Sequence, residues 1–197
     1  MTMTRPSPKR ARKSIERIDK AVAQRLALDG RSKAATRTSA FAEAGDQPPL
    51  IIVSLSVVAA GLAGGNAPLR RTGMRMLTAH SLATLFKLIA KDRIDRTRPG
   101  ALNDKAYRLE KGTSRDGRLR SMPSGHSAGV TAIAGAILPD YPGALPPVAI
   151  VATAISGAQL PSKNHFLSDV LVGAVLGVAA AAIARLLIPM RPSKRRR

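Results

Sequence analysis

The feature that most constrains this chain is the alternation of apolar segments with blocks of basic residues. The apolar segments number five and span residues 50–64, 72–90, 127–139, 141–160 and 167–189. They are apolar on all sides and lack the polar stripe of a surface helix, which favours lipid as their surroundings. Small residues at four-residue spacing, as in Gly61 with Gly65 and Gly173 with Gly177, would let such helices pack closely in lipid. The pattern predicts an all-α fold, a transmembrane helical bundle of about five spans.

Segment length leaves a second architecture open. A helix needs roughly 20 apolar residues to cross the bilayer core, and only some of these segments reach that length. The others would have to extend through the polar residues at their ends. A soluble helical bundle is therefore the alternative.

The net charge of +20 restricts the partners of the chain. Such an excess attracts either nucleic acid or the anionic face of a membrane. Aromatic residues make up only 3% of the chain, so few side chains are available for stacking on bases. The basic residues instead flank the apolar segments and crowd residues 5–37, 91–120 and 191–197, as in the loops of membrane proteins. Membrane lipids are the expected partner, and nucleic acid is not.

The same charge pattern divides the chain into three parts. Residues 1–48 form a basic N-terminal tail, 49–190 the membrane domain, and 191–197 a basic C-terminal tail. Within the first part, apolar residues recur at helical spacing and predict an amphipathic helix: Ile15, Ile18, Val22 and Leu26. This helix would either lie on the membrane surface or pack against the rest of the protein. The chain has no cysteine, which excludes disulfides, zinc–thiolate sites and thiol catalysis.

Three short clusters carry residues suited to chemistry. In the first, Lys91 and Arg98 follow the second apolar segment and Pro99 comes directly after them. In an Arg-rich loop this spacing alone is also typical of cations gathered at a lipid headgroup boundary. Its significance depends on the other two clusters.

The second cluster, Pro123-Ser124-Gly125-His126, lies where the long polar loop enters the third apolar segment. Ser124 is a natural N-cap, and the free amides that follow it favour a bound anion. Gly125 lets an anion approach the backbone, and His126 beside it can donate a proton to a leaving oxygen. The alternative is an ordinary helix-entry turn with a bystander histidine.

The third cluster places His165 and Asp169 four residues apart at the start of the last apolar segment. Residues at this spacing share one helix face, so the carboxylate can accept the imidazole N–H and make the other ring nitrogen a better nucleophile. An Asp at membrane depth is costly unless it has such a duty. A structural pair that caps the helix is the alternative. The remaining histidine, His80, lies inside an apolar segment and is expected to serve helix packing.

Taken in order, the clusters resemble the signature of the type 2 phosphatidic acid phosphatase superfamily, which reads Lys-x6-Arg-Pro, Pro-Ser-Gly-His and Ser-Arg-x5-His-x3-Asp. The first two motifs are complete, and the third keeps His165 and Asp169 at the family spacing. The resemblance implies the helical core that this family shares with vanadium haloperoxidases. It also implies that His165 is the nucleophile, Asp169 its partner and His126 the acid.

The resemblance further implies a set of phosphate ligands: Lys91, Arg98, Ser124 and Gly125. The third motif departs from the family, because Ala158 and Gln159 stand where the pattern has Ser-Arg. Gln159 donates hydrogen bonds but carries no charge. Gln159 and Lys163 are the candidate replacements for the missing arginine.

The expected function is hydrolysis of a lipid-linked phosphate or diphosphate, isoprenyl or glycerolipid, through a phosphohistidine and without a metal ion or other cofactor. The alternative is a catalytically weakened relative that binds phosphorylated lipid or acts as a membrane scaffold. The resemblance favours a bacterial inner membrane with the site on the external face. By the positive-inside rule, the basic run 194–197 supports this side, whereas the basic N-terminal part favours the opposite one. Homo-oligomer formation is left open.

Overall fold

A computed structural model describes residues 8–103 and 106–190. Regular structure in these residues is mostly helical, as the apolar segments predict. The α-helices are α1 (Pro8–Leu26), α2 (Lys33–Glu43), α3 (Gln47–Ala63), α4 (Ala67–Lys91), α5 (Gly125–Ile137), α6 (Leu145–Ala158) and α7 (Leu167–Leu187). Helices α3 to α7 coincide with the five apolar segments. The basic C-terminal tail, 191–197, lies outside the described residues.

Helix α5 lies at the centre of the bundle and packs against α4, α6 and α7, while α3 packs against α4. The core between these helices is built mainly from small side chains, including Ala79, Ala132, Ala136 and Ala180, all fully buried. Alanine gives good helix propensity with little volume, so the helix axes come close together. The core is therefore formed by close contact between helix backbones and not by large side chains.

Glycines on α7 make its contact with α5 especially close. A Cβ atom added to Gly173 would lie 2.5 Å from the carbonyl oxygen of Ser124, and one added to Gly177 would lie 2.5 Å from that of Ala128. The spacing of these glycines is thus a packing device, as predicted. Of the other pair, Gly61 approaches the backbone of Arg70, whereas Gly65 forms the turn between α3 and α4 with a φ of +59°.

The long loop between α4 and α5 contains a short antiparallel hairpin, which no sequence pattern predicted. Strand β1 (Ile94–Arg96) pairs with β2 (Leu109–Lys111), and Asp95 lies opposite Glu110. The hairpin fixes Arg96 with its side chain fully buried. It therefore gives an otherwise polar loop a rigid base at the end of the bundle.

Helix α1 is amphipathic, but its buried side is polar. Asp19 is 1% exposed, whereas Ile15 and Ile18 are 39% and 52% exposed. The helix contacts the beginning of α7, so it lies at the end of the bundle from which α5 and α7 start. The helix therefore packs on the rest of the protein, and its exposed apolar residues leave the membrane-surface location a prediction.

Within the described residues, α7 is the helix that by itself is long and apolar enough to cross a membrane. Helices α2 and α3 meet the same criterion only as a pair, with a bend of 47° between them, and α6 is apolar but shorter. Three arginines near the start of α4 lower its apolar character: Arg70, Arg71 and Arg75. The prediction of five spans is therefore not confirmed by length and composition.

Candidate active site

A cavity of about 180 Å³ opens at the end of the bundle where α4 finishes and α5 and α7 begin. Water in the liquid occupies about 30 Å³ per molecule, so the cavity has room for a phosphoryl group. Most of the residues singled out in the sequence line it: Lys91, Arg98, Gly125, His126, Gln159 and His165. Two of these, His126 and His165, are histidines, so the fold brings imidazoles from separate parts of the chain to one cavity.

Two basic side chains form one wall of the cavity. Lys91, just beyond the apolar stretch 72–90, donates a hydrogen bond of 2.9 Å to the carbonyl oxygen of Arg120. Arg98 donates from Nε to the carbonyl oxygen of Gly117, also at 2.9 Å. Burial lowers the pKa of Lys91 to about 8, and the charge of Arg98 acts in the same direction. This wall therefore attracts anions most strongly at neutral pH and below.

The start of α5 forms a second wall. Ser124 is the N-cap, and its hydroxyl oxygen accepts hydrogen bonds from the amide and the hydroxyl of Ser127 at 3.4 and 3.0 Å. Its side chain is fully buried and absent from the cavity lining. Ser124 thus shapes the helix start, whereas Gly125 and His126 reach the cavity with amides that have no acceptor within the helix.

His165 lies between the cavity and Asp169. Its Nδ1 is 3.7 Å from Oδ2 of Asp169, longer than a hydrogen bond. The two side chains predicted to pair from their four-residue spacing are therefore neighbours, but the hydrogen bond between them is not formed. Burial lowers the pKa of His165, and Arg98 and Lys91 lower it further, while Asp169 opposes them. A neutral imidazole is the form that can act as a nucleophile.

Asp169 is fully buried, and both of its carboxylate oxygens are held. Oδ1 accepts from Nη1 of Arg96 at 2.6 Å, and Oδ2 accepts from the hydroxyl of Ser121 at 2.6 Å. Oδ2 also accepts from the amide of Phe166 at 2.8 Å, which caps the beginning of α7. The capping alternative is thus also present, and it fixes the carboxylate behind the imidazole.

The family model of the PAP2 superfamily matches residues 72–193, which include all three clusters and the whole of α4 to α7 apart from the first turns of α4. The chain belongs to the PAP2 superfamily.

The fold is similar to that of a solved structure. This is the crystal structure of the first transmembrane PAP2 type phosphatidylglycerolphosphate phosphatase from Bacillus subtilis, with a TM-score of 0.65 and 17% sequence identity. The similarity covers 88% of this chain and 86% of that chain. A search of curated proteins gave no match. The likeness supports the PAP2 fold along nearly the whole chain.

The arginine position of the third PAP2 motif is filled by a buried amide. Gln159 is fully buried, lines the cavity, and forms no hydrogen bond through either side-chain atom with the described residues. A buried amide without partners is costly, so the position suits a ligand oxygen. Lys163 is exposed, has a φ of 56° and lines a separate cavity beside α1. Of the two candidate replacements, the structure brings only Gln159 to the site.

A second lysine in this PAP2 site was not predicted. Lys87 lines the cavity one helical turn before Lys91 on α4. Its Cδ would lie 2.8 Å from a Cβ on Gly125, so the lysine side chain passes directly over the start of α5. The four-residue spacing of the two lysines was visible in the sequence, but no motif includes Lys87.

His80 packs between helices, as expected, and also lies at the cavity. It is buried, packs close to Gly129 of α5, and lines the cavity wall. Asp46, the N-cap of α3, lies on the same wall. The described residues contain no group of three or more His, Cys, Asp or Glu side chains that could hold a metal ion.

Proposed function

We propose that this PAP2 protein is an integral membrane phosphatase that hydrolyses a lipid-linked phosphate or diphosphate through a phosphohistidine. The observation that carries the proposal is that His126 and His165 line one cavity together with Lys91 and Arg98. Two imidazoles around one phosphoryl group provide a nucleophile and an acid, and the cations offset its charge.

The reaction has two steps. Nε2 of His165 forms a bond to phosphorus while the bond from phosphorus to the leaving oxygen breaks, and His126 donates a proton to that oxygen. His126 then removes a proton from water, whose oxygen bonds to phosphorus as the bond to His165 breaks. Lys91, Arg98, Gln159 and the amides at the start of α5 hold the phosphoryl oxygens throughout. No step uses a metal ion, so activity is expected in the presence of chelators.

The outer surface of the bundle supports a membrane location. Large apolar side chains on α3, α6 and α7 are exposed, among them Ile52 at 61%, Ile150 at 68%, Val175 at 67% and Leu186 at 79%. Water-soluble monomers rarely expose contiguous apolar surface on this scale. We propose that α3 to α7 each cross the bilayer, the shorter helices with the help of their flanking turns.

The substrate is proposed to be a lipid phosphate. The similar solved structure is that of a phosphatidylglycerolphosphate phosphatase, which supports a glycerolipid phosphate. An isoprenyl phosphate satisfies the same site chemistry. Both combine a phosphoryl group with an apolar chain that can remain in the membrane. A panel of the two classes, each as monophosphate and diphosphate, identifies the preferred one.

The arrangement of helix α1 bears on the side of the membrane that the site faces. Because Asp19 of α1 contacts Ser168 at the start of α7, the basic N-terminal helix lies on the same face as the cavity and the Arg-rich loop. Basic residues favour the cytoplasmic side, so we propose a cytoplasmic site in place of the external one. Impermeant labelling of Lys163→Cys, on the site face, and Gly143→Cys, at the opposite turn, tests this in intact cells.

The second candidate function is a weakened relative that binds phosphorylated lipid without turnover. Gln159 favours it, because an amide gives an anion less electrostatic stabilisation than a guanidinium. Release of phosphate by the purified protein in detergent separates the two. The proposal predicts turnover that His165→Ala abolishes. If the wild type and His165→Ala release phosphate at equal rates, or if neither releases phosphate from any lipid of the panel, only the binding function remains.

A further inference from the structure

Helix α1 lies outside the residues that match the PAP2 family, 72–193, yet it reaches the catalytic centre through one side chain. Asp19 is its one fully buried charged residue among those described, at 1% exposure. Its Oδ2 accepts a hydrogen bond from Nη2 of Arg96, and the two groups form an ion pair. A buried carboxylate is costly unless it is paired.

The pairing extends to α7. Ser168 donates from its amide to Oδ1 of Asp19 at 3.1 Å and from its hydroxyl to Oδ2 at 2.7 Å. Arg96 uses Nη1 for Asp169, at 2.6 Å, and for the hydroxyl of Ser168, at 2.6 Å. The two terminal nitrogens of the Arg96 guanidinium thus bind one carboxylate each. Nη2 binds Asp19 of α1, and Nη1 binds Asp169, which lies beside His165.

The aromatic ring of Tyr107 packs against the guanidinium that links the two carboxylates. Its hydroxyl accepts from Nη2 of Arg96 at 3.2 Å, and its ring lies 5.8 Å from the guanidinium carbon. The ring of Phe166 lies on the guanidinium at 4.8 Å. Arg96 is fully buried among these groups. Its position therefore depends on the two carboxylates more than on solvent.

We propose that Asp19 is a positioning residue of the active site, which acts on His165 through Arg96 and Asp169. Asp19 binds Nη2 of Arg96 and so keeps Nη1 on Asp169. Its negative charge also offsets the positive charge of Arg96. Without it, the full charge of Arg96 would act on Asp169, which would stabilise an imidazolium less. The inference rests on the proposed function, since it concerns the same nucleophile.

The alternative is that Asp19 has a purely structural role and only attaches α1 to the bundle. A structural attachment changes stability, whereas a positioning residue changes the chemical step and its pH dependence. The charged and titratable groups that share the cavity with His165 come from four elements: His80, Lys87 and Lys91 of α4, Arg98 of the loop, His126 of α5, and Asp46 before α3. Asp169 of α7 lies on the other side of the imidazole. None of them is altered by a substitution at Asp19.

The test compares Asp19→Asn with Asp19→Glu and with Glu16→Gln. Asn keeps the shape of the side chain but loses its charge, and Glu keeps the charge. Glu16, one turn earlier on α1, forms a partly exposed pair with Lys20 at 2.7 Å and serves as the matched control. Purified proteins in detergent are assayed for phosphate release, with thermal unfolding and size-exclusion profiles recorded for each.

For Asp19→Asn we expect kcat to fall about 10- to 100-fold, by analogy with the loss of a group that orients a metal-binding side chain from outside. KM should stay close to that of the wild type, and the acid limb of kcat/KM should move to lower pH because less negative charge supports the imidazolium. Asp19→Glu should recover part of kcat, and Glu16→Gln should match the wild type.

Wild-type kcat and pH profile in a folded Asp19→Asn would overturn the inference, and so would a variant that fails to fold, because either result leaves only attachment. A wild type whose phosphate release is unaffected by His165→Ala would instead overturn the proposed function. The two failures are therefore distinguishable.

Discussion

Nδ1 of His165 lies 3.7 Å from Oδ2 of Asp169, and that oxygen already accepts hydrogen bonds from Ser121 and the amide of Phe166. The carboxylate is thus fixed before the imidazole reaches it. Catalytic hydrogen bonds are often long in the absence of substrate and shorten in the complex. A small movement of His165 towards Asp169 on substrate binding would complete the pair.

Asp169→Asn is expected to lower kcat by about 10²- to 10⁴-fold, the range for groups that take part in proton transfer or orient those that do. The amide keeps the size of the side chain but cannot stabilise a positive charge on His165. Phosphate release under saturating substrate measures the effect. Asp29→Asn, at an exposed position before α2, is the control, and an unchanged kcat in Asp169→Asn would contradict the role.

Gln159→Leu is expected to raise KM about tenfold or more, since a hydrogen bond to a charged group contributes about 1.5 to 3 kcal/mol. Leucine has a similar size and no polar atom. Lys163→Ala should leave KM unchanged, because Lys163 lines another cavity. Steady-state kinetics on one lipid phosphate provide both values. If KM changed in Lys163→Ala and not in Gln159→Leu, the assignment of the replacement ligand would be reversed.

Much of the fold and site could be predicted because the relevant signals are local. The apolar segments gave the helices, and the motif spacing gave His126 and His165 at two helix starts. Lys87 was missed although it lies one turn from Lys91, because a lysine near a membrane boundary usually has a simpler explanation. Asp19 could not be found at all, since its partner Arg96 is 77 positions away and no periodicity relates distant charges.

Lys91→Arg is expected to keep kcat/KM high at alkaline pH, where the wild type should lose it. The pKa of Lys91 is lowered to about 8 by burial and by neighbouring cations, so its charge, and with it the attraction for phosphate, disappears as the pH rises through 8. Arginine remains charged throughout this range. The ratio of kcat/KM for the variant to that for the wild type should therefore rise steadily from pH 7 to higher values, and a constant ratio would exclude Lys91 as the titrating group.

Asp140→Ala is expected to destabilise the protein by about 3 to 5 kcal/mol, the cost of leaving a buried charge without its partner. At the end of the bundle opposite the cavity, Asp140 accepts hydrogen bonds from Arg75 at 3.1 Å and from Thr72 at 3.0 Å. Arg75 is fully buried and also donates to the carbonyl oxygens of Ala136 and Ile188. The pair therefore connects α4 to α5 and to the end of α7.

Unfolding of the purified protein in detergent measures this loss, with Glu110→Ala as the control. Glu110 forms an exposed pair with Arg108 at 3.9 Å, and exposed pairs contribute about 0 to 1 kcal/mol. Below the unfolding transition, Asp140→Ala should keep the kcat of the wild type because the carboxylate is remote from both histidines. Equal stability of the two variants would show that Arg75 finds other compensation within the bundle.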